Sequence, residues 1–163
     1  MRRLTLSALA AFSLAASVAH AAPADVSVTV GPDLQKTFEK TYGVREAAVL
    51  TADLKSSVQK ALARTGAHDG ARIELTLTDV KPNRPTFKQL GDTPGLSMES
   101  FGVGGAAIEG RVVGPDGTAK PIKYRWFETD IRESYARWVW SDAETAFDRF
   151  ARNLARGREL ASR

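Results

Sequence analysis

Apolar and polar residues alternate with a period of two in three parts of the chain, a pattern typical of half-buried strands. Residues 26–30 are rich in valine and threonine and predict a short first strand. Between residues 71 and 80, Ile73, Leu75 and Leu77 alternate with polar residues, which predicts a strand with one buried and one solvent-exposed face.

The third alternating part predicts a β-hairpin, and the rest of the predicted fold is arranged around this stretch, 100–129. Its turn is Pro115-Asp116-Gly117, where proline presets φ, aspartate bonds its own backbone and glycine accepts a positive φ. On the returning strand, Tyr124 and Trp126 share one side with Ile122.

Apolar residues recur at helical spacing in two further segments. Leu50, Leu54 and Val58 lie on one face of a helix predicted over about 45–65, and Gly66 is expected to end it in the left-handed conformation.

The closing helix is predicted to begin at a capping box, in which Ser141 and Glu144 satisfy each other's backbone donors. Its apolar stripe includes Phe147, Phe150 and Leu154, and Gly157 is expected to end it. The tail from about residue 157 is expected to fray.

Two segments leave alternatives open. Residues 81–100 carry several prolines and glycines and predict either a flexible surface loop or a binding loop. Residues 130–140 either extend the preceding strand or form another strand ending at Trp138-Val139-Trp140.

These elements follow the order β-α-β-β-β-(β)-α. Each helix has one apolar stripe, so both are expected to pack on one face of a mixed sheet of four to five strands. The predicted fold is an α/β (α+β) two-layer sandwich.

Residues 1–21 have the pattern of a cleaved secretory signal. Arg2 and Arg3 precede an apolar run, and Ala19-His20-Ala21 predicts cleavage after Ala21. The run is shorter than the roughly 20 residues of a spanning helix, so no membrane span is expected. Residues 22–163 then form one domain, and the protein is expected to be periplasmic or secreted.

Composition restricts the partners and the stabilising bonds. The chain has no cysteine, which excludes disulfides and a lipid-modified N-terminal cysteine. It carries 23 Lys and Arg against 19 Asp and Glu, and loss of Arg2 and Arg3 with the signal would leave 21 against 19. A charge so close to balance gives no support to nucleic-acid binding.

No residue pattern predicts catalysis, a cofactor or a metal ion, and we expect a non-enzymatic protein. His68 lies in a polar turn and is interpreted as a solvated loop residue. Glu128 and Asp130 suit the wet face of a sheet better than glycoside hydrolysis. The glycines of 101–105 lead into a strand rather than a helix, which favours close backbone approach over phosphate binding.

Three groups of residues are candidates for partner binding. The loop 81–100 offers Phe87 and Leu90 as apolar contacts. The aromatic-rich region 124–140 offers Trp138 and Trp140, which suit either a protein interface or a sugar ring, although most such rings belong to cores. The last candidates are three basic residues on one face of the closing helix: Arg149, Arg152 and Arg156. They are interpreted either as a binding site for an anionic partner such as lipopolysaccharide or as a solvated helix face.

The chain resembles secreted or lipid-anchored envelope domains of Gram-negative bacteria, which share a small α/β module with the N-terminal domain of TolB and with outer-membrane accessory lipoproteins. The resemblance is carried by Tyr42-Gly43, the stretch 101–106, the Pro115-Asp116-Gly117 turn and the stretch 140–143. It implies a binding module without catalytic residues.

The leading hypothesis is therefore a periplasmic binding or assembly domain that contacts a protein or a cell-envelope component. The alternative is a small-ligand or carbohydrate-binding domain that uses the region 124–140.

Overall fold

Four strands form one mixed sheet in the order β1-β2-β3-β4. The computed structural model describes residues 22–135 and 137–158; the predicted signal peptide lies outside them. β1 (Asp25–Val30) runs parallel to β2 (Arg72–Lys81), while β3 (Gly105–Val113) and β4 (Ala119–Phe127) continue the sheet as an antiparallel hairpin. The predicted strands are confirmed to within a few residues.

Helices lie between β1 and β2, between β2 and β3, and after β4. β1 is followed by α1 (Pro32–Thr37), a π-helical turn (Phe38–Tyr42) and the long α2 (Val44–Thr65). The short α3 (Phe87–Asp92) lies between β2 and β3, and a 3₁₀ turn (Ile131–Ser134) precedes α4 (Ser141–Ala155). None of the helices in the described ranges is long and apolar enough to cross a membrane.

The long helices α2 and α4 pack beside each other on one face of the sheet, which confirms the α/β two-layer sandwich. The sheet contributes Ile73, Leu75, Leu77 and Ile108 to the core. The helices contribute a second layer of fully buried apolar side chains: Leu50, Leu54, Val58, Phe147 and Phe150.

The other face of the sheet is polar. Glu74 accepts from Arg72 and Arg111 at 2.7 Å each. A further pair joins Glu109 of β3 to Lys123 of β4, and another joins Asp79 of β2 to Arg125 of β4 across the intervening strand. This is the solvent-exposed face that the alternation in β2 predicts.

The predicted hairpin turn is confirmed. Gly117 has a φ of 81°, and the Gly114 amide donates to the Thr118 carbonyl at 2.9 Å. Asp116 Oδ1 accepts from the Thr118 amide at 2.9 Å. Gly66 likewise ends α2 with a φ of 64°, as expected.

Two predictions about the chain after β4 are wrong. The described part of 130–140 forms a 3₁₀ turn and loop rather than a fifth strand. The predicted capping box at Ser141 does not form, because Ser141 Oγ accepts from the Trp138 amide at 2.9 Å and Trp140 occupies the N-cap position. A capping box is present instead at Thr86 and Gln89, where it begins α3.

Carboxylates gather where α4 meets α2. Ser57 on α2 donates to Asp148 Oδ1 at 3.0 Å, and Glu144 lies one turn before Asp148. Partial burial raises the pKa of Glu144 above its usual value, and the charges of Asp53 and Asp148 raise it further.

We therefore expect Glu144→Gln to stabilise the protein at neutral pH. A pKa raised in the folded state means that folded protein favours the protonated carboxyl, so stability falls as pH rises through that pKa. The gain of the variant should vanish below the ordinary carboxyl value of 4.5 and grow above it. Urea unfolding across this pH range measures it. Glu99→Gln, on an exposed loop, is the control; an equal gain in that variant would contradict the explanation.

Candidate functional site

Two loops meet at one end of the sheet, where β2 and β4 end and β3 begins. The first loop is 82–104 and the second is 128–140. The Asn83 amide donates to the Val139 carbonyl at 2.7 Å, and the Glu128 amide donates to the Gly104 carbonyl at 2.9 Å. Segments far apart in sequence are thus joined directly.

Arg84 ties these loops together through its guanidinium group. Its Nε donates to the Arg137 carbonyl at 2.6 Å, one Nη donates to the Tyr135 carbonyl at 2.6 Å and the other donates to the Met98 carbonyl at 2.8 Å. The planar fork of an arginine is suited to hold several acceptors in fixed directions. One half-buried side chain therefore fixes the backbone of both loops.

Beneath Arg84 lies a buried polar pair, Asn83 and Asp142, each at most 1% exposed. Asn83 Nδ2 donates to Asp142 Oδ2 at 2.5 Å, and the Asp142 amide returns a bond to Asn83 Oδ1 at 2.9 Å. The Gly104 amide also donates to Asp142 Oδ2 at 2.9 Å. Asp142 Oδ1 accepts no hydrogen bond from the residues that the structure describes, and Arg137 Nε lies 3.7 Å from it.

The glycine-rich approach to β3 makes room for this pair. A Cβ at Gly104 would lie 2.7 Å from the Lys81 carbonyl oxygen and 2.8 Å from Asn83 Oδ1. At Gly105, where φ is 150°, a Cβ would overlap the Trp126 carbonyl oxygen. Close backbone approach is therefore the function of these glycines, as their position before a strand indicates.

Large apolar side chains on these two loops face the solvent. Eight large apolar residues are exposed in the described part of the chain, and six of them belong to the two loops. We call these six the apolar loop surface: Phe87, Met98, Phe101, Ile131, Tyr135 and Trp138. Phe101 and Tyr135 come from different loops and meet edge to face, with ring centroids 5.8 Å apart.

Two predicted contact residues belong to this surface. Phe87 begins α3 and is 84% exposed, and Trp138 is 76% exposed on the second loop. Leu90, on the same short helix as Phe87, is half-buried. The loop 81–100 and the region before α4, which are distant in sequence, are thus brought to one end of the sheet.

The prediction for Trp140 is corrected. Its side chain is 7% exposed and belongs to the core, where Tyr42 packs against it edge to face at 5.6 Å. Its Nε1 donates to Glu46 Oε2 at 2.6 Å. The indole fills the space between the start of α2 and the start of α4, so Trp140 is not available to a partner.

The basic residues of α4 lie elsewhere. Arg149, Arg152 and Arg156 are exposed along the later turns of the helix. Arg149 stacks on the ring of Trp126, with its guanidinium carbon 4.3 Å from the centroid. The exposed members of the predicted contact residues therefore lie on two separate surfaces.

Several contributors to the loop end carry no recognisable signal in the sequence. Arg84 resembles any loop arginine, and Asp142 resembles an acidic residue that favours the first turn of a helix. Met98, Phe101 and Ile131 are single apolar residues without periodicity. Their common location follows from contacts between segments about fifty residues apart.

Glu128 and Asp130, the two carboxylates weighed for glycoside hydrolysis, both have lowered pKa values. Hydrogen bonds from the Asp130 and Thr129 amides lower the pKa of Glu128. The side chain of Arg132 does the same for Asp130. A catalytic acid needs a raised pKa, so this pair lacks one requirement for glycoside hydrolysis.

His68 differs from its prediction as a solvated residue. It is half-buried with a φ of 62°, and its Nε2 lies 3.2 Å from the Leu154 carbonyl oxygen. Within the described ranges, no group of three or more His, Cys, Asp or Glu residues is placed to hold a metal ion.

Comparison with protein families and curated proteins does not assign the chain to a family. No protein-family model matches the chain, and no curated protein matches it significantly.

We expect Asn83→Ala to destabilise the protein by roughly 2–4 kcal/mol, because it leaves the buried Asp142 carboxylate with fewer donors. The free energy of unfolding in urea measures this. Asn153→Ala, on the half-buried side of α4, makes no side-chain hydrogen bond in the described residues and should change stability by less than about 0.5 kcal/mol. Equal effects in the two variants would contradict the role of the pair.

Arg84→Lys should loosen the two loops without unfolding the sandwich. An ammonium group cannot reach three carbonyls in the directions that the guanidinium serves. Trypsin should therefore cut faster after Arg132 and Arg137, while the cooperative unfolding transition persists. Arg111→Lys, on the polar sheet face, should leave the cleavage rate unchanged. Unchanged cleavage in Arg84→Lys would contradict the role of Arg84.

Proposed function

We propose that this protein is a periplasmic, non-enzymatic binding domain that contacts a protein or another cell-envelope component through the apolar loop surface. The observation that carries the proposal is the concentration of exposed apolar side chains on two loops at one end of the sheet. Large apolar patches exposed on a soluble domain commonly mark interaction sites.

The support beneath the surface strengthens this proposal. Arg84 holds the backbone on which Met98 and Tyr135 are carried. Aromatic side chains on a fixed backbone lose little conformational entropy on binding, which is why Tyr and Trp dominate binding hot spots. The loop end is thus preorganised to present its rings.

Carbohydrate binding is the second candidate. Of the aromatic residues between 124 and 140, Trp140 belongs to the core, Tyr124 and Trp126 pack against it, and half-buried Phe127 is covered by Arg125. Tyr135 and Trp138 are 72% and 76% exposed. Their flat rings are suited to stack on a sugar, and this candidate depends on those two residues alone.

The test is co-sedimentation of the mature protein with outer-membrane and peptidoglycan fractions, with the double variant Tyr135→Ser/Trp138→Ser beside the wild type. Because both rings are exposed, the variant should fold normally and lose about tenfold or more of its binding. Binding through an apolar contact should also resist added salt.

The matched control is Val44→Ser/Val49→Ser, which removes two exposed apolar residues from α2. It should bind like the wild type. Equal losses in both double variants, or no binding of wild type to any fraction, would contradict the proposal. Binding to soluble glycan with quenched tryptophan fluorescence would favour the carbohydrate candidate.

A further inference from the structure

The exposed side of α4 separates its charges into two edges. Asp148 and Glu144 lie on the edge beside α2, where Ser57 donates to Asp148. On the edge nearer β4, Arg149 stacks on Trp126 and Arg152 lies near Tyr124, and Arg156 follows Arg152 by about one turn. Asp148 and Arg152, four residues apart, form no ion pair with each other, since the carboxylate accepts from Ser57 on α2 instead. The two edges therefore have opposite charge.

Side chains of β4 support the basic edge from below. Arg149 stacks on Trp126, which fixes the guanidinium plane and leaves the N–H groups at the edge of that plane free to donate. Tyr124 packs on Phe150 with centroids 5.6 Å apart. Burial raises the pKa of the Tyr124 hydroxyl, and the opposing effect of the charges of Arg149 and Arg152 indicates that both lie near it.

The donors of this edge are unused within the described residues. None of the three arginines donates a side-chain hydrogen bond there or forms an ion pair with a described carboxylate. Glu128 acts on Arg149 electrostatically, but its Oε1 already accepts from the amides of Thr129 and Asp130. The edge thus offers several oriented cationic donors to an external anion.

We propose that this basic edge, Arg149, Arg152 and Arg156 beside Tyr124 and Trp126, binds the phosphate groups of an anionic lipid surface. Arginine recognises phosphate through paired N–H donors. Seven residues of helix extend about 10 Å, so the row spans more than one phosphate group. All three arginines are exposed, which suits an extended surface better than an enclosed ion. The inference is independent of the apolar loop surface.

The test is flotation of the mature protein with vesicles of phosphatidylglycerol and phosphatidylcholine, compared with vesicles of phosphatidylcholine alone. Wild type should bind only the anionic vesicles, and added salt should release it. The triple variant Arg149→Gln/Arg152→Gln/Arg156→Gln should bind about a hundredfold more weakly, since each cation at such a surface contributes roughly fivefold.

The matched control is Lys55→Gln/Lys60→Gln/Arg64→Gln, which removes the same charge from exposed positions on α2. It should retain vesicle binding within about twofold, and so should Tyr135→Ser/Trp138→Ser. Equal losses in the two triple variants would overturn the proposal, as would failure of wild type to bind anionic vesicles. Thermal stabilisation by inorganic phosphate without vesicle binding would overturn it in favour of a free-anion site.

Discussion

The buried pair of Asn83 and Asp142 is the constraint on which the loop end of this domain depends. A carboxylate in the interior is costly unless several donors surround it, and here the donors come from Asn83 and from the Gly104 amide. The position of Asp142 in the first turn of α4 adds the favourable field of a helix N-terminus. One side chain thereby joins the chain after β2, the approach to β3 and the start of the helix that covers the sheet. This junction therefore fixes the position of the loops that carry the exposed rings.

The sequence predicts the parts of the fold whose signals are local. The apolar stripe at Leu50, Leu54 and Val58 defines α2, alternation defines β2, and Pro115-Asp116-Gly117 defines the hairpin. The start of α4 shows where local reasoning fails. Ser141 and Glu144 have the spacing of a capping box, yet the Ser141 hydroxyl accepts a hydrogen bond from the Trp138 amide instead. The helix still begins at Ser141 because Asp142 and its partners hold it there.

The candidate site was predictable in its exposed residues and not in its framework. Phe87 and Trp138 stand in segments without apolar periodicity, which agrees with their exposure. The prediction that Trp140 contacts a partner is wrong because the residues that bury it are distant in sequence. Its indole donates to Glu46 on α2, ninety-four residues away. Arg84 and Asn83 act through carbonyls and a carboxylate supplied by other segments. No spacing in the sequence predicts such contacts, so they are found only in the folded structure.

α4 connects the two proposed surfaces and sets their geometry. Its first turn is anchored beneath the apolar loop surface, and Arg152 lies about 15 Å further along the helix axis. A lipid surface that contacts the basic edge would lie alongside this axis, since the three arginines run along it. The apolar loop surface, at the end of the axis, would then face sideways along the membrane rather than into it. A protein bound there would be held beside the same membrane. Because the buried pair joins the loops to the first turn of α4, and the basic edge lies on the same helix, the two contacts need no movement of the domain to occur together.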